Sequence, residues 1–279
     1  MSGKTGFRAA CVQLRSGRDM GRNIEAAGEL IRQAAAGGAD LIMTPENSSL
    51  LELETERLLA STFAQDEDPA LRLFQELAAE LSSWLLIGSL PIKVAADKTA
   101  NRSFLIGPQG AITATYDKIH MFDVDLPGGE SYRESANVKG GAKGVMADLP
   151  WGRIGLSICY DLRFAALYRA YAQAGARFLT VPAAFTKTTG EAHWHVLLRA
   201  RAIENGAFVF APAQGGHHEN GRDTYGHSLI ISPWGEILAE GGEEPGVIFA
   251  DIDPDLADEA RRRIPALSHD RDFGVSLAP

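Results

Sequence analysis

A chain of 279 residues lies at the upper end of what one hydrophobic core serves, and its 45% hydrophobic and 23% charged residues are ordinary for a globular protein. Thirty-six acidic against 27 basic residues give a net charge of −9, which argues against a nucleic-acid partner because phosphate contact needs a basic face. The longest apolar stretch, 84–90, reaches about half a bilayer span. The first ten residues lack the apolar run of a signal peptide, and two cysteines make no disulfide framework. A cytoplasmic protein without a membrane role is expected, and the absence of repeats or linkers predicts a single domain over 1–279.

Phe7 to Leu14 reads as an opening strand. Helical spacing runs through Ile24, Ala27, Leu30, Ile31 and Ala34, with Asp19 as cap and Gly37-Gly38 as stop, predicting a helix over 20–36. A short buried strand, Leu41 to Met43, runs into Thr44-Pro45-Glu46. Asp68-Pro69 sets cap and first-turn proline for the next helix, and 84–90 is the next strand. Residues 102–106 and 112–116 form a hairpin around Pro108-Gln109-Gly110. The segment 121–144 is long and irregular, as loops that line sites often are.

Further on, a strand over 154–158 ends at Cys159, and a helix follows over 164–174. Then come a strand at 178–181, a helix at 192–204 and a strand at 208–211. A hairpin, 228–231 with 236–239, turns at Pro233-Trp234-Gly235. A strand at 247–252 precedes a short helix and an extended tail. Trp194, Leu197, Leu198 and Ile203 form the core face of their helix. Strands that alternate with helices and later form hairpins predict an α/β fold built on a large mixed sheet or two sheets.

Glu46, Lys118 and Cys159 each end a strand and open a loop, where catalytic groups of α/β proteins collect. An apolar strand ending in Cys159, followed by Tyr160-Asp161 and a helix, is built like the nucleophile turn of serine hydrolases. That turn exposes the sulfur and leaves the Tyr160 N–H able to face an oxyanion. Cys11, inside its strand, reads as an inert core thiol. A thiol nucleophile needs a base. None of the seven histidines is placed beside Cys159 by the pattern, and a carboxylate such as Glu46 is the other possibility. The pairs His217-His218 and His193/His195 lack zinc spacing and a cysteine or carboxylate partner, so no metal site is expected.

The set Pro45-Glu46, Tyr116-Asp117-Lys118-Ile119-His120 and Ser157-Ile158-Cys159-Tyr160-Asp161-Leu162-Arg163-Phe164 resembles the Glu-Lys-Cys triad of the nitrilase superfamily, in order and separation. The similarity extends over 7–273. The stretches 182–185, 192–205 and 217–235 resemble its Nit amidases, which hydrolyse deaminated glutathione. One departure is Asn47-Ser48-Ser49-Leu50, where those enzymes carry an aromatic-containing segment.

The resemblance implies a four-layer α-β-β-α sandwich, assembled as a homodimer or larger homo-oligomer. It implies a cysteine-dependent amidase acting on a small-molecule amide without metal or organic cofactor. Deaminated glutathione or 2-oxoglutaramate is the expected substrate, with N-carbamoyl amino acids and nitriles as alternatives. A metal-dependent phosphoesterase of similar sandwich fold and an acyl-transferring or non-catalytic relative stand outside that class. The family's second glutamate falls on Glu134. Arg163 reads either as a fork for a substrate carboxylate or as an ion-pair partner of Asp161 or Glu204. Phe185 and Thr189, in the loop after the strand at 178–181, are the expected pocket wall and polar contact. Between two carboxylates Lys118 stays protonated, since a unit charge at about 4 Å is worth roughly 4 kcal/mol at an effective dielectric near 20. An ammonium holds an oxyanion, which leaves Glu46 as the base.

Overall fold

A computed structural model describes residues 6–126 and 129–278. The first residues, read above for a signal peptide, and two residues of the 121–144 segment lie outside that description. The elements in chain order are β1 (Phe7–Gln13), α1 (Met20–Ala36), β2 (Leu41–Met43), α2 (Thr55–Ala60), α3 (Pro69–Leu81), β3 (Trp84–Ala95), β4 (Lys98–Ile106) and β5 (Ile112–Asp117). They continue with β6 (Asp123–Asp125), β7 (Ser131–Arg133), β8 (Val145–Leu149), β9 (Gly152–Leu156), α4 (Ala165–Gln173), β10 (Ala176–Thr180), α5 (Lys187–Asn205) and β11 (Phe208–Ala211). The last are β12 (Gly215–His217), β13 (Asp223–Tyr225), β14 (Leu229–Ile231), β15 (Ile237–Glu240), β16 (Gly246–Ile252) and α6 (Asp255–Arg263).

Two six-stranded sheets carry the fold. One runs β16-β1-β2-β3-β4-β5, the other β15-β14-β11-β10-β9-β8. Strand periodicity decides which face meets what. In β1 and β2, Ala9, Cys11, Leu41 and Met43 point into the core shared with the second sheet, while Ala10, Val12 and Ile42 point to α1 and α3. On the far side of the second sheet, Tyr171 of α4 packs over Gly155 of β9, where a Cβ would lie 2.6 Å from its ring, and Tyr168, Trp194 and Leu198 of α4 and α5 are buried, while Phe178 and Phe210 turn inward onto Phe7 of β1. The layers are therefore helix, sheet, sheet, helix: the expected four-layer sandwich.

Local signals set several boundaries. Asp19 accepts from the Arg22 N–H at the start of α1, and Asp68 accepts from the Leu71 N–H in front of Pro69 at the start of α3. Other expectations need correction. The 121–144 segment contains the β6–β7 hairpin and a 3₁₀ turn at Glu134–Ala136. The helix expected over 192–204 begins at Lys187, so Thr189 lies in its first turn rather than in a loop. Gly190 does not break it, because the absent side chain leaves room for the Tyr225 ring against that turn. Ile203 leaves the core face and is exposed.

Beneath the cluster described next, Gly88 of β3 packs tightly against the segments that follow β2 and β10. A Cβ on Gly88 would lie 2.0 Å from the Thr44 carbonyl oxygen and 2.3 Å from the Pro182 side chain. Gly88→Ala is therefore expected to destabilise the protein by roughly 1–3 kcal/mol or more, the range of overpacked cores. It should also displace Pro45-Glu46 and lower turnover. Thermal unfolding and activity of the same variant check this, and a wild-type melting temperature would sink it.

Candidate active site

The parallel strands end on one side of the sandwich, and the cluster forms there. β2 delivers Glu46 through Thr44-Pro45, β5 delivers Lys118, and β9 delivers Cys159 through Ser157-Ile158. All three are buried, at 4%, 2% and 6% exposure. Lys118 Nζ lies 2.9 Å from Glu46 Oε1 and 2.9 Å from both carboxylate oxygens of Glu134. The Cys159 thiol lies beside Glu46, near enough for the carboxylate charge to act on it. The four residues singled out in the sequence are thus brought together across two sheets.

Cys159 sits at φ +50°, in the left-handed region that costs a side-chain-bearing residue strain and recurs at functional turns. Its N–H donates to Pro182 O at 2.9 Å, and a 3₁₀ helix runs from it to Arg163. Tyr160 N–H follows in the opening turn, where helix amides lack intrahelical acceptors. Asp161, fully buried, holds the turn in place. It accepts from the Ile158 N–H at 2.8 Å, the Tyr116 hydroxyl at 2.6 Å and the His120 N–H at 3.1 Å, with the His120 ring 2.7 Å away. The cysteine turn and the lysine strand are therefore tied to one carboxylate.

Glu46 is held on both oxygens. Oε1 accepts from Lys118 and from Asn101 Nδ2 at 2.8 Å, and Oε2 accepts from the Ala184 N–H at 2.8 Å. Asn101 also reaches Glu134 Oε1 at 3.3 Å, bridging the two glutamates, while its own buried Oδ1 has no partner. The backbone behind Glu46 is fixed by Gln214, whose Nε2 donates to Glu46 O at 3.0 Å. Glu134 Oε2 additionally accepts from the Phe122 N–H at 2.7 Å.

The charges sort themselves accordingly. Burial pushes Lys118 down, but the charges of Glu134 and Glu46 outweigh it and leave its pKa above the ordinary lysine value. Burial pushes Glu46 up. The charge and hydrogen bond of Lys118, the Cys159 thiol and Arg222 outweigh that and hold it below the usual carboxylate range. Burial and then the Glu46 charge push the Cys159 thiol well above its ordinary value, with Lys118 and Arg222 opposing only in part. At neutral pH the cluster is a neutral thiol beside a carboxylate and an ammonium.

A cavity of about 230 Å³ opens over these groups. Its walls include Phe185 and Thr189, together with Tyr160, Phe122, Tyr132 and Arg222. No histidine is among them. Thr189 hydroxyl lies 2.8 Å from that of Thr186, directly before α5. Arg163 is placed differently from either expectation. Its guanidinium lies over the rings of Phe185 and Tyr160, 5.3 and 5.8 Å from their centroids, with His193 Nδ1 at 3.3 Å. It is not among the residues lining the cavity. Asp161 is occupied by Tyr116 and His120, and Glu204 pairs with Arg201.

Sequence reasoning did not single out Asn101, Gln214 or Arg222, and it weighed Asp161 only as a partner for Arg163. A polar Asn101 inside the buried strand β4 was a readable signal. Arg222, between a glycine and an aspartate, looked like any surface turn. Outside the cavity, His195, His227 and Glu240 converge, with both rings about 3 Å from Glu240 Oε1. Their hydrogen bonds link α5 to the β14–β15 hairpin.

Two stacked sheets between helix layers, with a thiol, a carboxylate and an ammonium at facing strand ends, define a class of hydrolytic sandwich. Residues 8–262 match the carbon-nitrogen hydrolase family, and the chain belongs to it, as a hydrolase of carbon–nitrogen bonds other than peptide bonds. It is 45% identical to the deaminated glutathione amidase of Synechocystis sp. over 94% of this chain and 97% of that one. Omega-amidase NIT2 of Homo sapiens is 36% identical over 96% of both chains. Among solved structures, the C. elegans NitFhit protein superposes with a TM-score of 0.89 at 36% identity, covering 95% of this chain and 65% of that fusion. A mutant of the amidase from Nesterenkonia sp. AN1, showing the result of Michael addition of acrylamide at its active-site cysteine, gives 0.78 at 25% identity, covering 93% of this chain and 98% of that one.

Proposed function

We propose that the chain hydrolyses the amide of a 2-oxo acid, deaminated glutathione or 2-oxoglutaramate, through a thioester on Cys159. The observation that carries the mechanism is the Cys159 thiol, on its strained turn, at one cavity with a carboxylate that Lys118 contacts at 2.9 Å and keeps ionised. The names of the relatives from Synechocystis and Homo sapiens support the substrate class.

Glu46 takes the thiol proton as the sulfur attacks the amide carbonyl carbon. The oxyanion is held by Lys118 Nζ and the Tyr160 N–H, both worth more in a water-poor site than in solution. Glu46 then gives its proton to the departing nitrogen, and the C–N bond breaks to leave the thioester. Water loses a proton to Glu46 and attacks the same carbon. The acid departs, and the proton returns to the sulfur. Proton transfer from a raised thiol to a depressed carboxylate is uphill at rest, so it is coupled to attack rather than preceding it. Glu134 and Asn101 orient Lys118 and Glu46 without transferring protons, while Phe185 and Thr189 bound the acyl group.

A hydrolysis panel tests the reading: deaminated glutathione, 2-oxoglutaramate, an N-carbamoyl amino acid and a nitrile. The highest kcat/KM is expected on a 2-oxo acid amide, and preference for either of the last two would overturn the substrate class. Iodoacetamide should inactivate while EDTA does not. The reverse pattern would favour a metal-dependent phosphoesterase. Products formed with and without added amine separate hydrolysis from acyl transfer. Exposed Trp234 and Ile264, which share one surface cavity, support a homo-oligomer, which light scattering measures.

A further inference from the structure

The substrates proposed above carry a carboxylate, and an anion enters a buried cavity only where a cation or a set of donors receives it. Three cationic side chains line the cavity: Lys118, Arg133 and Arg222. Lys118 is engaged by two glutamates, and Arg133 pairs with Asp125 outside. Glu52, the remaining acidic wall residue, pairs with Arg18. Arg222 is in no ion pair with any described residue. One of its terminal nitrogens donates to Ala184 O, next to the amide that holds Glu46. Its Nε is buried without a hydrogen-bond partner. The guanidinium lies over the Tyr132 ring, 5.1 Å from its centre.

Arg222 does not stand there by chance of a loose loop. It ends the turn between β12 and β13, and β13 is fastened to the entrance of α5: Tyr225 N–H donates to Phe185 O at 2.9 Å, and Thr186 bridges Thr224. The first turn of α5, with Thr186 and Thr189 on the cavity wall, therefore opens beside Arg222. A helix start offers unpaired N–H groups and the positive end of the backbone dipole. A guanidinium with an orphaned donor and a helix start thus flank one cavity, and both favour an anion.

We infer that Arg222, with the first turn of α5, is the specificity determinant that receives a substrate carboxylate, and that the enzyme selects anionic amides over neutral ones. The inference rests on the amidase reading above. Arg163, which the sequence offered for this role, instead backs the Phe185 and Tyr160 rings from outside the cavity.

The experiment compares kcat/KM on 2-oxoglutaramate and on a neutral primary amide of similar length for wild type, Arg222→Gln, Arg222→Lys and Arg163→Gln. Arg222→Gln lowers both rates, because its charge also acts on Cys159 and Glu46, so the ratio of the two substrates is the readout. That ratio is expected to fall about 10- to 150-fold, the range of one charge-assisted hydrogen bond. Arg222→Lys restores part of it, since an ammonium lacks the planar fork. Arg163→Gln lowers both substrates equally. An unchanged ratio in Arg222→Gln, or a selective loss in Arg163→Gln alone, overturns the assignment while leaving the amidase reading intact. A wild type that turns over neither amide defeats the amidase reading instead. Circular dichroism and melting temperature confirm that each variant is folded.

Discussion

Cys159→Ala is expected to lower turnover by about 10⁵-fold or more while the fold survives, a loss on the scale seen when a hydrolase loses its nucleophile. The substitution removes only a sulfur atom. Alanine keeps a Cβ and tolerates φ +50° no worse than cysteine, and the turn's hydrogen bonds run through backbone atoms and Asp161. Cys11→Ala is the internal control. Its thiol lies in the core between the sheets, 3.9 Å from Leu229 O, and burial pushes its pKa well up, so it presents no thiolate to a substrate. Cys11→Ala should keep turnover within a small factor and lose stability for a missing core atom. One iodoacetamide equivalent should be incorporated in wild type and none in Cys159→Ala. An acyl adduct on Cys159, found by mass spectrometry after rapid quench, identifies the thioester. Retention of more than about one per cent of wild-type turnover in Cys159→Ala would rule out covalent catalysis, given that scale.

What the chain reveals of this arrangement before folding depends on how local each signal is. The ends of α1 follow from Asp19 and Gly37-Gly38, and the start of α3 from Asp68-Pro69, because caps act within one turn. Glu46, Lys118 and Cys159 are legible because each terminates an apolar strand, and the resemblance to a family fixes their order. Strands β12 and β13 are three residues each, too short for a period of two to declare itself. β8 has no counterpart among the expected strands, and the strand expected over 154–158 is set two residues later than β9, because a turn at Pro150-Trp151 leaves each of the pair only five residues. The start of α5 was misplaced by Gly190, whose neighbour Tyr225 is 35 positions away in the chain. The same distance hides Arg222. Nothing near it in sequence indicates that β13 will be fastened to the start of α5, which is what places its guanidinium at the cavity. Residues that do chemistry at strand ends carry a local signature, while those that select the substrate are assembled by tertiary pairing.

The two glutamates should respond unequally, and the inequality identifies the base. Glu46→Gln keeps shape and an acceptor for Lys118, yet an amide oxygen cannot take the thiol proton. Its –NH₂ would also face either the Ala184 N–H or the Lys118 ammonium. A loss of about 10³–10⁴-fold in kcat is expected, the upper part of the range for general bases. Glu134→Gln leaves an oxygen for Lys118 and removes one of the two charges that keep it protonated. The remaining charge, Glu46, is still in contact, so the ammonium persists and the loss should be at least tenfold smaller than that at Glu46, the step of about 1.4 kcal/mol between weakened orientation and a missing proton acceptor. Lys118→Ala falls between, at about 10²–10³-fold, the cost of an oxyanion donor. The pH dependence follows from the direction of the Glu46 shift. A carboxyl held below its usual range is already ionised where glutamates normally titrate, so wild-type kcat/KM should show no acid limb near about pH 4.3 while the protein remains folded. In Glu134→Gln the ammonium persists and a neighbouring negative charge is gone, so Glu46 is held at least as low and no acid limb should appear near that value either. A loss in Glu134→Gln as large as or larger than that in Glu46→Gln would overturn the assignment of Glu46 as the base.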